Sequence, residues 1–198
     1  MNYIKRAIEP TIKQYMDLFP AIAITGPRQS GKSTLLRHLF KDTHTYVSFD
    51  DPSLLDFALT DPNGFMKQYS APVIFDEIQK APDLFHYIKL AIDNNRNLTG
   101  QYLLTGSNQF QIHRSITETL AGRIGLLSLL PFQLSEIPSA VERDHELFGG
   151  YPELATRQYK GAREWHMAYL QNYVERDVRS MGQISNLRDF QRFIFLLA

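Results

Sequence analysis

The 198-residue chain contains no cysteine, which excludes a disulfide framework and a thiolate metal centre. Net charge is absent too. Twenty-one Lys and Arg balance 21 Asp and Glu, so no global field draws the chain to nucleic acid or to an anionic membrane, and only a local patch could do so. We expect no signal peptide, and the sequence holds no long charge-free apolar run, internal repeat or low-complexity segment. These absences lead us to expect a cytoplasmic protein with no membrane partner. The length suffices for one α/β domain plus a small appendage, with enough interior to bury a core without a covalent staple.

Against this even background one stretch stands out. Gly26-Pro27-Arg28-Gln29-Ser30-Gly31-Lys32-Ser33-Thr34 satisfies G-x-x-x-x-G-K-[ST]. It follows the apolar run Ala21-Ile22-Ala23-Ile24 and precedes a helical pattern whose apolar face is Leu35, Leu36, Leu39 and Phe40. A strand before and a helix after are what a phosphate-cradling loop requires. Glycines at both ends let the backbone curl so that N–H groups converge on phosphate oxygens, and the helix offers its positive N-terminus to the same anion. All nine residues are therefore candidate nucleotide ligands. Lys32 is expected to bridge the outer phosphates, and Ser33 carries a hydroxyl suited to a magnesium ion that those phosphates already hold.

A second anchor lies downstream. Pro72-Val73-Ile74-Phe75-Asp76-Glu77 is an unbroken apolar run ending in two acids, as expected of a parallel strand buried on both faces. This is a Walker B pattern: Asp76 would hold magnesium through water, and Glu77 would orient or activate the water that attacks the terminal phosphate. Gln101-Tyr102-Leu103-Leu104-Thr105 reads as a further strand, delivering Gly106-Ser107-Asn108 to the carboxyl edge of the sheet, where ligands of open α/β sheets sit. Ser107 or Asn108 could sense the γ-phosphate or position water; the alternative is a turn and helix cap. Arg123, just ahead of a fifth strand over residues 124–130, is either a transition-state arginine for its own or a neighbour's phosphates, or a surface ion-pair partner.

The remaining elements follow from periodicity and punctuation. Ile4, Ile8, Ile12, Tyr15, Met16 and Phe19 predict an opening helix that Pro10 kinks or splits; it is either a core-facing helix or one whose first residues touch the base. Residues 45–49 predict a strand running into a helix capped by Asp51 or Ser53. Asp61-Pro62-Asn63-Gly64 predicts a turn, residues 84–94 a helix starting at Asp83, and residues 112–120 another. Phe148-Gly149-Gly150-Tyr151-Pro152-Glu153 is a Gly-Pro turn, open to reading as a plain linker. From Gly161 on, Trp165, Ala168, Tyr169, Tyr173 and Arg176 recur at helical spacing, and Asn186 would start a last helix through Phe190, Phe193 and Leu197. Trp165 reads as core, the alternative being a stacking platform. The final apolar residues 195–198 carry no cap, which leads us to expect a piece of a longer protein.

Gly26-Pro27-Arg28-Gln29-x-Gly31-Lys32-Ser33, Phe75-Asp76-Glu77-Ile78-Gln79, Leu104-Thr105-Gly106-Ser107 and Leu120-Ala121-Gly122-Arg123 together resemble a large prokaryotic family of AAA+-type ATPases that carry a C-terminal domain of unknown function. Gly150-Tyr151-Pro152-Glu153 is similar to the Gly-x-Pro turn of the STAND class of signalling ATPases. The resemblance implies a P-loop NTPase fold: a three-layer α/β/α domain with a mostly parallel five-stranded sheet including the additional catalytic-glutamate strand, in which the Ser107 strand lies between the phosphate-loop and Asp76 strands. It also implies that Pro152 packs near adenine and that further chain follows Ala198. The expected division is an ATPase core with its N-terminal helix over residues 1–135, and a helical lid, the start of a C-terminal region, over 136–198.

The leading expectation for function is Mg-ATP binding and slow hydrolysis to ADP and phosphate as a conformational switch, with self-association open. A small-molecule kinase would use the same loop, but Glu77, an acid poised for water, is a liability where water must be excluded. A nucleotide-regulated DNA-binding module would draw on residues 157–192, where seven Lys and Arg face four Asp and Glu; a solvated helix face explains that surplus equally well.

Overall fold

The computed structural model describes residues 3–107, 109–137 and 139–173, and near the end residues 189, 190, 192, 193 and 196. Five strands, β1 Ala21–Thr25, β2 Thr45–Ser48, β3 Val73–Asp76, β4 Tyr102–Gly106 and β5 Ile124–Ser128, form one sheet in the order β2-β3-β4-β1-β5. Every pairing is parallel, so all carboxyl ends share one edge. β4 lies between β1 and β3, the position implied by the resemblance.

Because successive strand residues point to opposite faces, the apolar runs feed two cores. Ala21, Ala23, Val73, Phe75, Tyr102 and Leu104 face one side. There they meet α3 Pro52–Thr60, α4 Pro62–Gln68, α5 Leu84–Asn94 and α6 Gln109–Thr119 through Ala58, Phe65, Phe85, Ile88 and Ile112. Ile22, Ile24, Ile74 and Leu103 face the other side, against Ile12 of α1 Glu9–Leu18 and Leu35 and Leu36 of α2 Lys32–Phe40. The result is a three-layer α/β/α domain. Fully buried Phe49, Phe65 and Phe75 bring their ring centroids within 5.7 to 5.9 Å of one another, and truncating any one to alanine should cost about 3–5 kcal/mol.

Local chemistry sets the boundaries. Pro10 opens α1 instead of splitting it, since the first helical positions need no N–H; residues 3–8 precede the helix. Asp51 caps α3, its Oδ1 accepting from the Ser53 and Leu54 amides at 2.8 and 3.3 Å, an arrangement worth about 1 kcal/mol. The turn expected at residues 61–64 is helix: Asp61 ends α3 and caps α4, accepting from Gly64 N at 2.9 Å, with Pro62 seated in the first turn. β5 stops at Ser128, short of the expected Leu130.

Beyond β5, one-turn helices at Leu134–Glu136 and Ser139–Val141 lead to α7 Glu142–Phe148, α8 Pro152–Thr156 and α9 Ala162–Tyr173. These elements build a third, smaller core from Phe132, Ile137, Leu154, Ala155, Tyr159 and Ala162, with Ile4 and Trp165 packed against it. No helix among the described residues is long and apolar enough to cross a membrane. Arg176 and most of the helix expected from Asn186 lie outside the described residues.

Candidate functional site

The loop between β1 and α2 has the backbone its glycines permit. Gly26 adopts φ 145°, and a Cβ there would run into the Leu129 carbonyl; Gly31, at φ 95°, turns the chain into α2. Arg28, Gln29, Gly31, Lys32, Ser33 and Thr34 line a cavity of about 880 Å³. Gly26, Pro27 and Ser30 do not line it. The Lys32 ammonium donates to the Gly26 and Pro27 carbonyls at 3.0 and 2.9 Å. Burial lowers the pKa of Lys32, while nearby Glu77 and Asp76 oppose that shift.

Asp76 sits behind Ser33, 4% exposed. Its carboxylate accepts from Ser33 Oγ at 2.8 and 3.0 Å, from Tyr46 OH at 2.7 Å, and from Thr105 Oγ1. Burial and the bond to Asp76 push the Tyr46 phenol up to about 12. Glu77 follows in a left-handed conformation, φ 57°, which turns it toward the cavity it lines. Its Oε2 accepts from Ser107 Oγ at 3.1 Å and from Gln79 Nε2, and its amide donates to Thr105 Oγ1 at 3.2 Å. Ser107 thus reaches the cavity through Glu77 and does not line it. Among the described residues no group of three or more His, Cys, Asp or Glu converges. Ser33 and Asp76 nevertheless form an all-oxygen pair, a donor set suited to a small hard cation that draws its other ligands from phosphate.

The opposite wall comes from both ends of the chain. Pro152, Glu153, Thr156, Trp165 and Tyr169 line it, with Tyr3, His38 and Phe132 beside them. The Trp165 and Tyr169 rings stack at 5.0 Å, and Tyr3 stacks on His38 at 3.7 Å. Pro152 approaches the phosphate loop closely enough that its Cγ would lie 3.8 Å from a Cβ at Gly31. Trp165, expected in the core, serves both: it packs on the third core and faces the cavity. Of the first residues, for which contact with the base was one of two readings, Tyr3, Ile4 and Arg6 line the cavity.

Arg123 is elsewhere. It precedes β5, and its carbonyl accepts from Ala21 N at the start of β1, so it sits at the amino edge, roughly 13 Å of strand from the loop at about 3.3 Å per residue. Its guanidinium forks onto Asp93 at 2.7 and 3.2 Å. Asp93 also accepts from Lys89 and Arg96, and these cations, Arg123 foremost, hold its carboxyl well below the usual range. The reading in which Arg123 reaches its own chain's phosphates is therefore corrected. Asn108 lies outside the described residues. Sequence reasoning missed Arg6, His38, Tyr46, Thr105 and Phe132: Tyr46 and Thr105 meet Asp76 only through strand register, which pairs Tyr46 with Ile74 and Phe75 with Leu104.

Fold and site define a P-loop NTPase of AAA type. The chain belongs to the AAA domain family, whose model matches residues 18–138; residues 141–198 match a domain of unknown function (DUF8612). Uncharacterized proteins of Mycobacterium tuberculosis and Mycobacterium bovis are each 28% identical over 180 residues, spanning 90% of this chain and 40% of theirs. One from Methanocaldococcus jannaschii is 25% identical over 197 residues, spanning 85% of this chain and 44% of its own. The chain thus spans about two fifths of the length of these relatives. The structure of the FIGL-1 AAA domain in complex with ADP superposes with a TM-score of 0.52 at 13% identity, covering 86% of this chain and 76% of that one, a likeness of fold.

Proposed function

We propose that this chain binds Mg-ATP and hydrolyses it to ADP and phosphate, using turnover as a conformational switch in which residues 136–198 act as a lid. The observation that carries this reading is that Lys32, Ser33 and Glu77 line one cavity of about 880 Å³, with Asp76 bonded to Ser33 behind it. The phosphates would occupy residues 26–34, with the Lys32 ammonium exchanging its two loop carbonyls for phosphate oxygens. Ser33 and Asp76 would hold magnesium, which when bound neutralises charge on the outer phosphates. Glu77 would accept a proton from water as the water oxygen bonds to the γ-phosphorus and the bridging oxygen leaves with ADP. Ser107 and Gln79 orient that carboxylate. Asn108, next in the sequence, is kept as a candidate for positioning the water. Pro152, Tyr169 and Trp165 would cover the base.

Arg123 lies at the amino edge, partly buried and paired with Asp93 as the ion-pair reading has it; to act on a neighbouring subunit's phosphates it would have to leave Asp93, and that is the alternative we put to test. Turnover per subunit should then rise with concentration in the wild type and stay flat in Arg123→Ala. The direct test of hydrolysis is phosphate release by wild type and Glu77→Gln. The variant should bind ATP as well as wild type and release phosphate about 10²- to 10⁴-fold more slowly; equal rates would remove Glu77 from the chemistry.

A further inference from the structure

Arg6, in the segment ahead of α1, belongs to no motif, yet it is 4% exposed. A guanidinium withdrawn from water to that extent has to find partners for its donors. Arg6 finds them at three residues on two distant stretches of chain. One terminal nitrogen donates to the Ser30 carbonyl in the phosphate loop at 2.9 Å, and the other to the Leu130 carbonyl past β5 at 2.7 Å. Its Nε pairs with Glu136 Oε1 at 3.1 Å, and its carbon lies 4.6 Å from the centre of the Phe132 ring. Glu136 is fixed in turn, accepting from Ala7 N at 2.6 Å and Gln133 N at 2.9 Å.

The contact with Ser30 bears on anion binding. Ser30 lies between two left-handed residues, Gln29 at φ 61° and Gly31 at φ 95°. Its carbonyl shares a rigid, planar trans peptide with the Gly31 N–H, so holding one aims the other. The fork of the guanidinium lets a single side chain hold this carbonyl, the Leu130 carbonyl and the Glu136 carboxylate at once, a task a lysine cannot reproduce.

We propose that Arg6 is the positioning residue of the phosphate loop: it fixes the Ser30–Gly31 peptide for phosphate and anchors it, through Glu136, to the start of the C-terminal wall. The inference rests on the nucleotide reading above. Its test is calorimetric titration of this chain with ADP and with adenosine, in wild type, Arg6→Ala, Arg6→Lys and Glu136→Gln, each checked for folding by circular dichroism well below its melting temperature. Arg6→Ala should lose ADP affinity on the order of ten- to a hundredfold, the equivalent of a charge-assisted hydrogen bond, and lose less for adenosine, which offers the loop no phosphate. Arg6→Lys and Glu136→Gln should fall between wild type and Arg6→Ala. A folded Arg6→Ala with wild-type ADP affinity, or with equal losses for both ligands, overturns the proposal; a purely structural role moves the melting temperature and not this ratio. Should Arg6→Ala fail to fold, unchanged ADP affinity in Arg6→Lys and Glu136→Gln overturns it instead. Wild type that binds no ADP sinks the nucleotide reading and this inference with it, whereas wild-type binding with unaffected variants sinks this inference alone.

Discussion

The two walls of the cavity are built on different plans. On the sheet side, the charged groups are satisfied by the strand ends and their loops: Lys32 by two carbonyls of its own loop, Asp76 by three hydroxyls, Glu77 by Ser107 and Gln79. That wall rests on cores covering both faces of a five-stranded sheet. The C-terminal wall offers stacked rings and a proline, and rests on a separate core of six buried side chains. Charge recognition needs fixed donors and therefore a rigid base, whereas apolar contact with a base tolerates displacement. Local openings draw on regions with few buried apolar contacts, so the C-terminal wall is the one suited to the proposed lid, and Arg6 is one tie that crosses between them, beside the Tyr169 hydroxyl on the Arg28 carbonyl.

The sharpest way to break this contrast is at Lys32. Lys32→Ala should lower nucleotide affinity by about a hundredfold or more, since two charge-assisted bonds to phosphate are each worth about 1.5–3 kcal/mol. Its melting temperature without ligand should change little, because the lost partners are two carbonyls of the same loop; calorimetry with ADP and thermal denaturation check both. Trp165→Ala should act on the other wall and more gently, lowering affinity roughly tenfold or less, in line with about 0.5–1.5 kcal/mol for an aromatic contact, and reducing adenosine and ADP binding alike. The smallest effect is expected from Tyr46→Phe. It removes one of the three hydroxyls on Asp76, and should raise the magnesium concentration needed for turnover severalfold while costing about 1–3 kcal/mol of stability. A magnesium titration of the folded variant that matches wild type would show that Ser33 and Thr105 suffice.

How well each wall could be read from sequence follows from the same contrast. The sheet wall is encoded by short contiguous stretches: residues 26–34 and 72–77 carry their chemistry in adjacent positions, and the apolar runs flanking them gave the strands. What escaped there, Tyr46 and Thr105, reaches Asp76 across strand pairings that no local pattern reveals. The C-terminal wall was legible only as helices and a Gly-Pro turn. Trp165 at helical spacing looked like core because periodicity reports which residues share a face and not what that face meets. Arg6 was silent for a related reason: its partners lie 24, 124 and 130 positions away. Arg123 was found by its place before β5, but its distance from the loop required knowing that β1 and β5 run parallel.

In the proposed function both walls close on one nucleotide, and the protein carries its own reporter for it, since Trp165 is the single tryptophan of the sequence and lines the cavity with the phosphate loop. The decisive measurement is the emission of Trp165 during titration with ADP, run beside calorimetry on the same samples. A saturable change is expected, with a midpoint equal to the calorimetric dissociation constant, and its loss in Lys32→Ala. Calorimetric binding with Trp165 emission unchanged to saturation would contradict it, placing the nucleotide on the sheet wall alone.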